Sequence, residues 1–256
     1  SIKVGGVLKR EYSYGFNNSL KTENIKTQGV NVFYYYDKNG NRTYKQSYVP
    51  GLGNPIENIS YEYDSLWPDR LTKVKTLGTV EVIKDVLYNG AYIGNPTFYG
   101  KDGQGISYLW EGRRLVGYND NTRSQSITYC YNSQGLRISK NINGVVTKYS
   151  YHGSNLISEE TGSNKQYYLY NESNLLSGII YNGETYYYIR DILGNITSLI
   201  DTNGNTVLEY DCDGYGNVLS ITGIMKTSLG KDNPFIYKGY YYDHETGLFL
   251  LTTRYY

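Results

Sequence analysis

The stretch YCYNSQGLRI, from Tyr129 to Ile138, contains the local signals that decide the fold. Its two tyrosines are two residues apart, so both rings lie on the same face of a strand. Asn132 can accept backbone N–H groups and start a turn. Gly135 suits the left-handed residue of a short hairpin loop, and apolar residues resume after it. The stretch therefore predicts one corner of an antiparallel β-hairpin.

Variants of this stretch recur about every twenty residues, which is typical of a repeated small structural unit. A second turn signal, Asn-Gly, lies between the copies and is the strongest short signal for a two-residue hairpin loop. Each unit is therefore predicted to be a strand, an Asp/Asn-x-x-Gly turn, a return strand and an Asn-Gly turn. The residues that mark the copies include Tyr36, Asp37, Gly40, Tyr63, Asp64, Tyr129, Tyr131, Asn132, Gly135, Tyr210 and Asp211, and the Asn-Gly pairs are Asn143-Gly144, Asn182-Gly183 and Asn203-Gly204.

The composition supports this interpretation, because 33 of the 256 residues are tyrosine and 29 are glycine. Tyrosine favours strands, whereas glycine and asparagine favour turns. We predict an all-β protein of antiparallel β-hairpin repeats, whose meander must curl, close or pack on a second sheet to bury a face. The tyrosine rings could form a core, line a wet interior or lie on an exposed binding face, and the sequence leaves these alternatives open.

Charge and hydropathy argue against several classes of function. The formal net charge of +1 predicts neither a nucleic-acid partner nor binding to an anionic membrane. No apolar run approaches the roughly twenty residues that a transmembrane helix needs. The chain begins without a signal peptide, so we expect it to be a piece of a longer polypeptide. The only cysteines, Cys130 and Cys212, favour packed thiols over a disulfide.

Longer stretches resemble the tyrosine-aspartate (YD) repeats of RHS proteins. They are YYYDKNGNR (34–42), YEYDSLWPDRLTKV (61–74), YCYNSQGLRI (129–138) and EYDCDGYGNVLSITG (209–223). The stretch NPFIYKGYYYDHETGLFLLTTRYY (233–256) resembles the RHS-associated core motif, which closes the repeat region in that family. The positions that match this motif are Pro234, Phe235, Tyr237, Gly239, Tyr240, Tyr242, Asp243, Glu245, Thr246, Gly247, Leu248, Leu250, Arg254, Tyr255 and Tyr256. The resemblance covers most of the chain and is weakest over residues 1–30 and 75–105.

This resemblance implies a fold, a function and a division of the chain. In the family, one long β-sheet coils as a spiral into a hollow shell that encloses a C-terminal cargo, usually a toxic enzyme, in bacterial polymorphic toxins and toxin-complex C subunits. Residues 1–229 would then be the repeat region, and residues 230–256 the motif that closes it. The implied localisation is secreted or at the bacterial cell surface. The implied partners are the rest of the same polypeptide, its cargo, and a capping or delivery protein.

Many toxins of the family continue beyond the core motif with a segment that begins Asp-Pro and carries aspartates for self-cleavage. The sequence stops at Tyr256, before any such segment. Neither the aspartates of an autoprotease nor a toxin is therefore assigned to any of its residues.

Candidate catalytic and metal-binding residues are better explained as parts of turns. His152 and His244 stand at turn positions, and no Cys/His spacing indicates zinc. Asp243, His244 and Glu245 lack a nucleophile with a base beside it, and the resemblance makes Asp243 a cap for backbone N–H groups. We therefore predict no catalytic residue, no cofactor, no metal and no enzymatic activity. Arg254 either stacks on tyrosine rings and fixes the closing strand or is simply exposed.

Encapsulation of a cargo is the main functional prediction, and two alternatives accompany it. Cell-wall-binding repeats also combine Tyr-Tyr with Asn-Gly, as in NGETYYYI (182–189), and their aromatic grooves bind choline or sugars. Those repeats usually carry Gly-Trp in each unit, whereas the only tryptophans, Trp67 and Trp110, do not follow glycine. The other alternative is adhesion or assembly through exposed sheet edges.

Overall fold

The computed structural model describes residues 1–4, 7–78, 80–90, 94–251, 254 and 255 of the chain. Its architecture is a succession of antiparallel strands, with one short helix near the C-terminal end. The chain divides into two compact units. The first comprises Ser1–Tyr108 and Asp120–Thr122, and the second comprises Leu109–Asn119 and Arg123–Tyr256.

The first ten strands form a meander in which each strand pairs antiparallel with the one before it. Their bounds are β1 Ile2–Val4, β2 Val7–Tyr14, β3 Leu20–Ile25, β4 Val30–Tyr36, β5 Arg42–Tyr48, β6 Glu57–Tyr63, β7 Leu71–Thr76, β8 Val82–Tyr88, β9 Pro96–Lys101 and β10 Gln104–Glu111. The boundary between the two compact units falls within β10.

The second half of the chain continues in the same way and then changes character. Eleven more strands come first, with the bounds β11 Arg114–Asp120, β12 Gln125–Tyr131, β13 Arg137–Ile142, β14 Val145–His152, β15 Asn155–Thr161, β16 Asn164–Tyr170, β17 Leu176–Tyr181, β18 Glu184–Arg190, β19 Ile196–Ile200, β20 Thr206–Cys212 and β21 Val218–Thr222. They are followed by helix α1 Leu229–Asp232 and by the strands β22 Tyr241–Asp243, β23 Leu248–Leu251 and β24 Arg254–Tyr255. From β12 to β21 each strand pairs antiparallel with the next. Strands β22 to β24 form a separate three-stranded sheet. The predicted all-β fold of antiparallel hairpins is confirmed.

The turn that follows a tyrosine strand is organised by one Asp or Asn side chain. Asp37 Oδ1 accepts the backbone N–H groups of Asn39 and Asn41 at 2.8 and 2.9 Å, and the Asn41 side chain donates to Asp37 Oδ2 at 3.0 Å. Gly40 supplies the left-handed residue with φ 87°. The same geometry recurs at Asn132, Asn171, Asp191, Asp201 and Asp213.

Two turn assignments differ from the sequence-based prediction. Asp211 does not start a turn, because it lies in β20 opposite Ser220. The turn begins at Asp213, which has an asparagine four residues later, Asn217, whose amide donates to the carboxylate at 2.7 Å. Likewise, Asn203-Gly204 belongs to the turn of Asp201 rather than to a two-residue loop.

The other two Asn-Gly pairs do form two-residue loops with positive φ at both positions, as a type I′ hairpin requires. The φ angles are 49° and 96° for Asn143 and Gly144, and 52° and 85° for Asn182 and Gly183.

A β-bulge precedes the last residue of each strand that leads into such a turn. In β4, Tyr35 pairs with Tyr44 and Tyr36 pairs with Arg42, so Thr43 is the extra residue on the return strand. Similar shifts occur before Tyr14, Tyr63, Tyr88, Tyr131, Tyr151, Tyr170, Arg190 and Cys212.

Beyond the bulge, the last tyrosine donates its hydroxyl to a backbone carbonyl near the start of the preceding strand. The pairs are Tyr36 with Leu20, Tyr63 with Arg42, Tyr131 with Leu115, Tyr151 with Arg137 and Tyr170 with Leu156, at 2.7–3.0 Å. Arg190 makes the equivalent bond to Leu176. Each tyrosine hydroxyl thereby joins two adjacent strands.

The tyrosine face of the second unit is a core. Tyr149, Tyr168, Tyr188 and Tyr210 are all less than a tenth exposed and belong to one apolar cluster. The residues that cover them come from the part of the chain after β21, which we call the C-terminal segment (residues 224–251) and which contributes Leu229, Phe235 and Ile236. Of the three open alternatives for the tyrosine rings, a packed core is therefore the one that this unit adopts.

Candidate functional site

The C-terminal segment lies on the tyrosine face of the second unit through ring-to-ring contacts. Phe235 meets Tyr168 edge-on with ring centroids 4.9 Å apart, and Tyr241 meets Tyr149 edge-on at 5.7 Å. Such T-shaped pairs add roughly 0.5–1.5 kcal/mol each beyond the area that they bury. The segment is thus specifically seated on the sheet.

A fully buried asparagine fixes the hydroxyls of two core tyrosines. Asn233 is 0% exposed; its Oδ1 accepts the hydroxyl of Tyr188 at 2.7 Å, and its Nδ2 donates to the hydroxyl of Tyr210 at 2.9 Å. The same Nδ2 also donates to the carbonyl of Phe235 at 2.8 Å. Buried polar groups are costly when they are unpaired. By pairing with the two tyrosine hydroxyls, Asn233 allows the C-terminal segment to cover these tyrosines without leaving them unsatisfied.

The strongest polar contact between the repeats and the segment is a buried ion pair. Arg137, the first residue of β13, donates from Nη1 and Nη2 to the two carboxylate oxygens of Asp243 on β22, at 2.5 and 3.1 Å. Lys140 Nζ lies 3.0 Å from Asp243 Oδ1 and also pairs with Glu245. Asp243 is 0% and Arg137 1% exposed, so the bidentate pair is formed out of water.

Three tyrosine rings enclose the guanidinium of Arg137. Its Cζ atom lies 5.2 Å from the ring centroid of Tyr129, 4.9 Å from that of Tyr149 and 4.7 Å from that of Tyr241. Two of the rings belong to the sheet and the third to the C-terminal segment. Cation–π contacts of this kind are worth about 2 kcal/mol when desolvated, so the cage and the carboxylate act on the same cation.

The electrostatics of the site keep Asp243 and Lys140 charged although both are buried. Burial acts to raise the pKa of Asp243, but the charges of Arg137 and Lys140 outweigh it and hold that pKa below its ordinary value. Burial acts to lower the pKa of Lys140, and the charge of Asp243 outweighs it, so that pKa is raised. Burial raises the pKa of Tyr149 to about 12. All three groups therefore keep their ordinary neutral-pH charge states inside the core.

A polar cleft of about 390 Å³ opens beside this ion pair, between the sheet and the C-terminal segment. Lys140, Glu159, Tyr241, His244 and Glu245 are among the residues that line it. Glu159 accepts the hydroxyl of Tyr241 at 2.6 Å and an amide hydrogen of Gln166. Burial raises the pKa of Glu159, although hydrogen bonds and nearby cations oppose the shift.

The remaining residues of the predicted core motif shape the segment. Pro234 accepts the backbone N–H of Tyr242 at 2.8 Å, and Tyr237 donates to the carbonyl of Gly214 at 3.3 Å. The ring of Tyr242 lies 4.7 Å from that of Phe249.

Four further motif residues lie in turns or join the tyrosine cluster. Gly239 and Gly247 both have φ 72°, and the N–H of Tyr240 donates to the carbonyl of Tyr237. Tyr255 shares a hydrogen bond of 2.8 Å with Tyr131 and packs against Trp110 and Tyr129. Tyr256 lies outside the described residues.

One predicted role differs from what the structure shows, and one open alternative is decided. The carboxylate of Asp243 does not cap backbone N–H groups, because both oxygens are engaged by Arg137 and Lys140; the turn is closed instead by its carbonyl, which accepts from Thr246 and Gly247. Of the two alternatives for Arg254, exposure is the one that the structure shows, in β24. The stacked arginine considered for Arg254 is found at Arg137.

Sequence reasoning did not identify Arg137, Lys140, Glu159, Asn233 and Tyr241 as site residues. Arg137 could have been noticed as a cation repeated at the position of Arg42, directly after the turn. Asp243 was identified as a motif residue, but its pairing with Arg137 could not have been predicted, since the two residues are 106 positions apart.

The predicted turn histidines lie at the surface. His152 ends β14 opposite Asn155 and is exposed, and His244 Nε2 lies 3.0 Å from the carbonyl of Asn233. Neither cysteine forms a disulfide, and Cys130 is exposed. Within the described part of the chain, no group of three or more His, Cys, Asp or Glu residues is arranged to hold a metal ion. Nor does any helix there have the length and hydropathy needed to cross a bilayer.

Comparison with known proteins gives relatives over nearly the whole length of the chain. It is 32% identical over 249 residues, 95% of its length, to the tRNA3(Ser)-specific nuclease WapA of Bacillus spizizenii, and equally to the tRNA nuclease WapA of Bacillus subtilis strain 168. The chain spans 10% of the length of each of these proteins. No protein-family model matches the chain.

Comparison with solved structures shows a chain that shares the fold. A chain in the crystal structure of TcdB2-TccC3-Cdc42 superposes with a TM-score of 0.50 and 13% identity, over 96% of this chain and 16% of that one. At that identity the likeness concerns the fold alone.

These relatives overturn one prediction. The chain was predicted to have no enzymatic activity, and that prediction is contradicted by its relatives, because three curated relatives are named as tRNA nucleases. The prediction failed because it searched for a nucleophile and a base within a stretch that corresponds to only a tenth of each of the first two relatives.

Proposed function

Because the chain belongs to the RHS (YD-repeat) proteins of the polymorphic toxins, we propose that it is a wall segment of a shell enclosing a cargo in a tRNA nuclease of this kind. Residues 1–229 would build the wall by adding hairpins, and residues 230–256 would close it. The cargo would be a toxic portion of the same polypeptide, and the whole protein would be secreted or displayed by a bacterium, with a capping or delivery protein as a further partner.

The observation that carries this proposal is the way the C-terminal segment is held on the tyrosine face. An enclosing wall needs its last turn fixed to the earlier hairpins, since a loose end would leave a gap. The ion pair of Arg137 with Asp243 joins residues 106 positions apart, and the cage of Tyr129, Tyr149 and Tyr241 surrounds it. A buried bidentate pair with a cation–π cage provides such an attachment.

Glycan binding is the weaker candidate, for a physical reason. Sugar and choline sites use open aromatic rings, whereas Tyr149, Tyr168, Tyr188 and Tyr210 are buried beneath the C-terminal segment. Their rings are already occupied by Phe235 and its neighbours, so they present no groove to a ligand.

The test uses the whole polypeptide in which these 256 residues lie, with proteolysis and tRNA cleavage as readouts. We expect the native protein to protect the cargo from an added protease and to cleave tRNA poorly until the shell is opened. Asp243→Asn should loosen the last turn and raise both protease sensitivity and tRNA cleavage by about tenfold. Asp69→Asn, at an exposed turn position, is the matched control and should behave as the native protein. Rapid digestion of the cargo in the native protein would rule out enclosure, and equal protection in all three proteins would rule out the role given to Asp243.

A further inference from the structure

The turn between β6 and β7 is longer than the turn between β4 and β5 and has an apolar tip. Its closing residues, Asp64 and Arg70, are six positions apart, whereas those of the shorter turn are four apart. The added length places Leu66 and Trp67 at the end of the hairpin, where they are 95% and 62% exposed. We call these two residues the Leu66–Trp67 tip.

The Leu66–Trp67 tip is held in one conformation by its own turn. Asp64 Oδ1 accepts the backbone N–H groups of Leu66 and Trp67 at 2.8 and 3.0 Å. Arg70 pairs with the other oxygen of Asp64, and its Cζ atom lies 5.7 Å from the ring centroid of Trp67. The two apolar side chains are therefore presented to solvent by an ordered, hydrogen-bonded turn.

A third large apolar side chain lies at the same edge of the first unit. Phe16, in the turn between β2 and β3, is fully exposed. Alternate turns of an antiparallel meander lie at the same ends of the strands, and adjacent strands are about 4.8 Å apart, so the two apolar turns are about 19 Å from each other. The turn between them carries Lys38, which is also exposed.

We infer that this edge of the first unit binds the surface of a zwitterionic lipid bilayer by shallow insertion of its turns. Leu66 and Phe16 would enter the boundary of the acyl chains, and Trp67 would lie at the level of the headgroups, where tryptophan is enriched in membrane proteins. The inference goes beyond enclosure and does not depend on it, because the tip lies on a turn and not on the face that a cargo would meet.

The shape of the edge favours a bilayer over a folded protein as the partner. The apolar side chains project singly from the ends of two hairpins, with a polar turn between them. A folded partner would need two matching recesses at a fixed separation, whereas a fluid bilayer forms around each tip as it enters. Exposed apolar side chains grouped in this way are typical of surfaces that bind a partner.

The charges at this edge favour neutral over anionic lipid. The carboxylate of Asp64 is paired with Arg70 inside the turn. An anionic surface would attract Lys38 but would repel Asp69, which is exposed beside the Leu66–Trp67 tip. With a formal net charge of +1, the chain as a whole adds little long-range attraction.

Partition of the intact 256-residue chain into vesicles tests the inference. The probes are vesicles of phosphatidylcholine, and vesicles in which about one quarter of the lipid is phosphatidylglycerol. We expect saturable partition into both, with affinities within about threefold of each other, because the binding is apolar and not electrostatic. Phosphatidylcholine brominated in its acyl chains should quench the fluorescence of Trp67 in a Trp110→Phe background, since the ring would then lie at the acyl boundary.

Three substitutions locate the effect. Leu66→Ser and Trp67→Ser should each weaken partition about five- to tenfold, because each removes apolar area that the bilayer buries. Leu52→Ser is the matched control, because Leu52 is 57% exposed in the loop between β5 and β6, at the opposite ends of the strands, and it should partition within about twofold of the native chain. Melting of each variant checks that the fold is kept.

Several outcomes would overturn the inference. They are the absence of partition into either vesicle, equal partition by Leu66→Ser and the native chain, and partition that requires phosphatidylglycerol and is lost in about 0.5 M salt. Association of the native chain without lipid that Leu66→Ser abolishes would assign the tip to a contact between chains instead. Enclosure is judged separately, from protease protection of the cargo in the whole polypeptide, so the two proposals can fail independently.

Discussion

At the scale of single residues, the attachment of the C-terminal segment depends on charges that are stable only as a set. Replacing a whole buried ion pair by apolar residues often leaves stability unchanged. Removing one partner, however, leaves the other charge unpaired in a medium of low dielectric constant. Asp243 has two such partners, Arg137 and Lys140, and both are buried. Its loss should therefore cost more than the loss of any exposed acid in the chain.

We expect Asp243→Asn to lower the free energy of unfolding by about 3–5 kcal/mol at pH 7, because it leaves two buried cations without a carboxylate. Urea denaturation followed by tyrosine fluorescence measures the change. Asp69→Asn, at an exposed position, should change stability by less than about 0.5 kcal/mol. Similar effects of the two substitutions would contradict the assignment.

The same pair gives an expectation for pH. Burial opposes the shift, but Arg137 and Lys140 lower the pKa of Asp243 in the folded state below its ordinary 3.8. The carboxylate therefore contributes stability that is fully present above the unfolded-state pKa, about 3.9, and is lost as pH falls through the lower folded-state pKa. The gap in stability between the native chain and Asp243→Asn should shrink in that acidic window. A gap that stays constant down to pH 2 would contradict the shift.

At the scale of the element, the hairpin turns show how much local sequence can predict and where it stops. The Asp/Asn-x-x-Gly signal correctly marked the turns at Asp37 and Asn132, because acceptor, glycine and return strand lie within a few residues. It misplaced the turn at Asp211, because two aspartates lie close together there. The turn begins at the second one, Asp213, whose carboxylate accepts the amide of Asn217. Both the turn signal and the cause of its failure at Asp211 therefore lie within a few residues of the turn.

Gly204 and Gly216 provide a matched pair for testing the turns. Both have φ near 85–90°, so alanine at either position carries a left-handed strain of about 1–2 kcal/mol. At Gly204 an added Cβ meets no atom within 4 Å, whereas at Gly216 it would lie 2.6 Å from the ring of Tyr237. We expect Gly216→Ala to cost a further 1–3 kcal/mol or so in urea denaturation, because the Tyr237 ring must move. Equal losses for the two variants would show that Tyr237 does not pack on this turn.

At the scale of the whole molecule, the sequence predicts a repeating hairpin architecture but not what the repeats enclose or bury. Periodic tyrosines define a face, and period alone cannot say whether that face meets water or another part of the chain. In the second unit the answer depends on Asn233, Phe235 and Tyr241, which lie far along the chain from the strands that they cover. A local sequence pattern cannot predict contacts between residues so far apart in the chain.

Removal of the C-terminal segment tests its role in the second unit. A chain that ends after Thr222 would expose the apolar cluster around Tyr168 and Tyr188, and each buried large apolar side chain contributes about 1.5–3 kcal/mol. Domains are stable by only about 5–15 kcal/mol, so amide hydrogen exchange in β14–β20 should rise at least about tenfold. Leu219→Ala, at an exposed position in β21, serves as the full-length control. Unchanged protection after truncation would mean that the sheet does not need the segment.

The sequence separation of the residues in each contact also determines how the chain would respond to a mechanical load. The hydroxyl bond of Tyr36 joins its strand to the one before it, so tension on the first unit would release hairpins one after another in small force steps. The Arg137–Asp243 pair behaves differently, because it closes a loop of 106 residues and must rupture before any length inside that loop is released. Pulling on the chain would then meet in the second unit a resistance that depends on this ion pair together with the ring contacts and hydrogen bonds of the C-terminal segment.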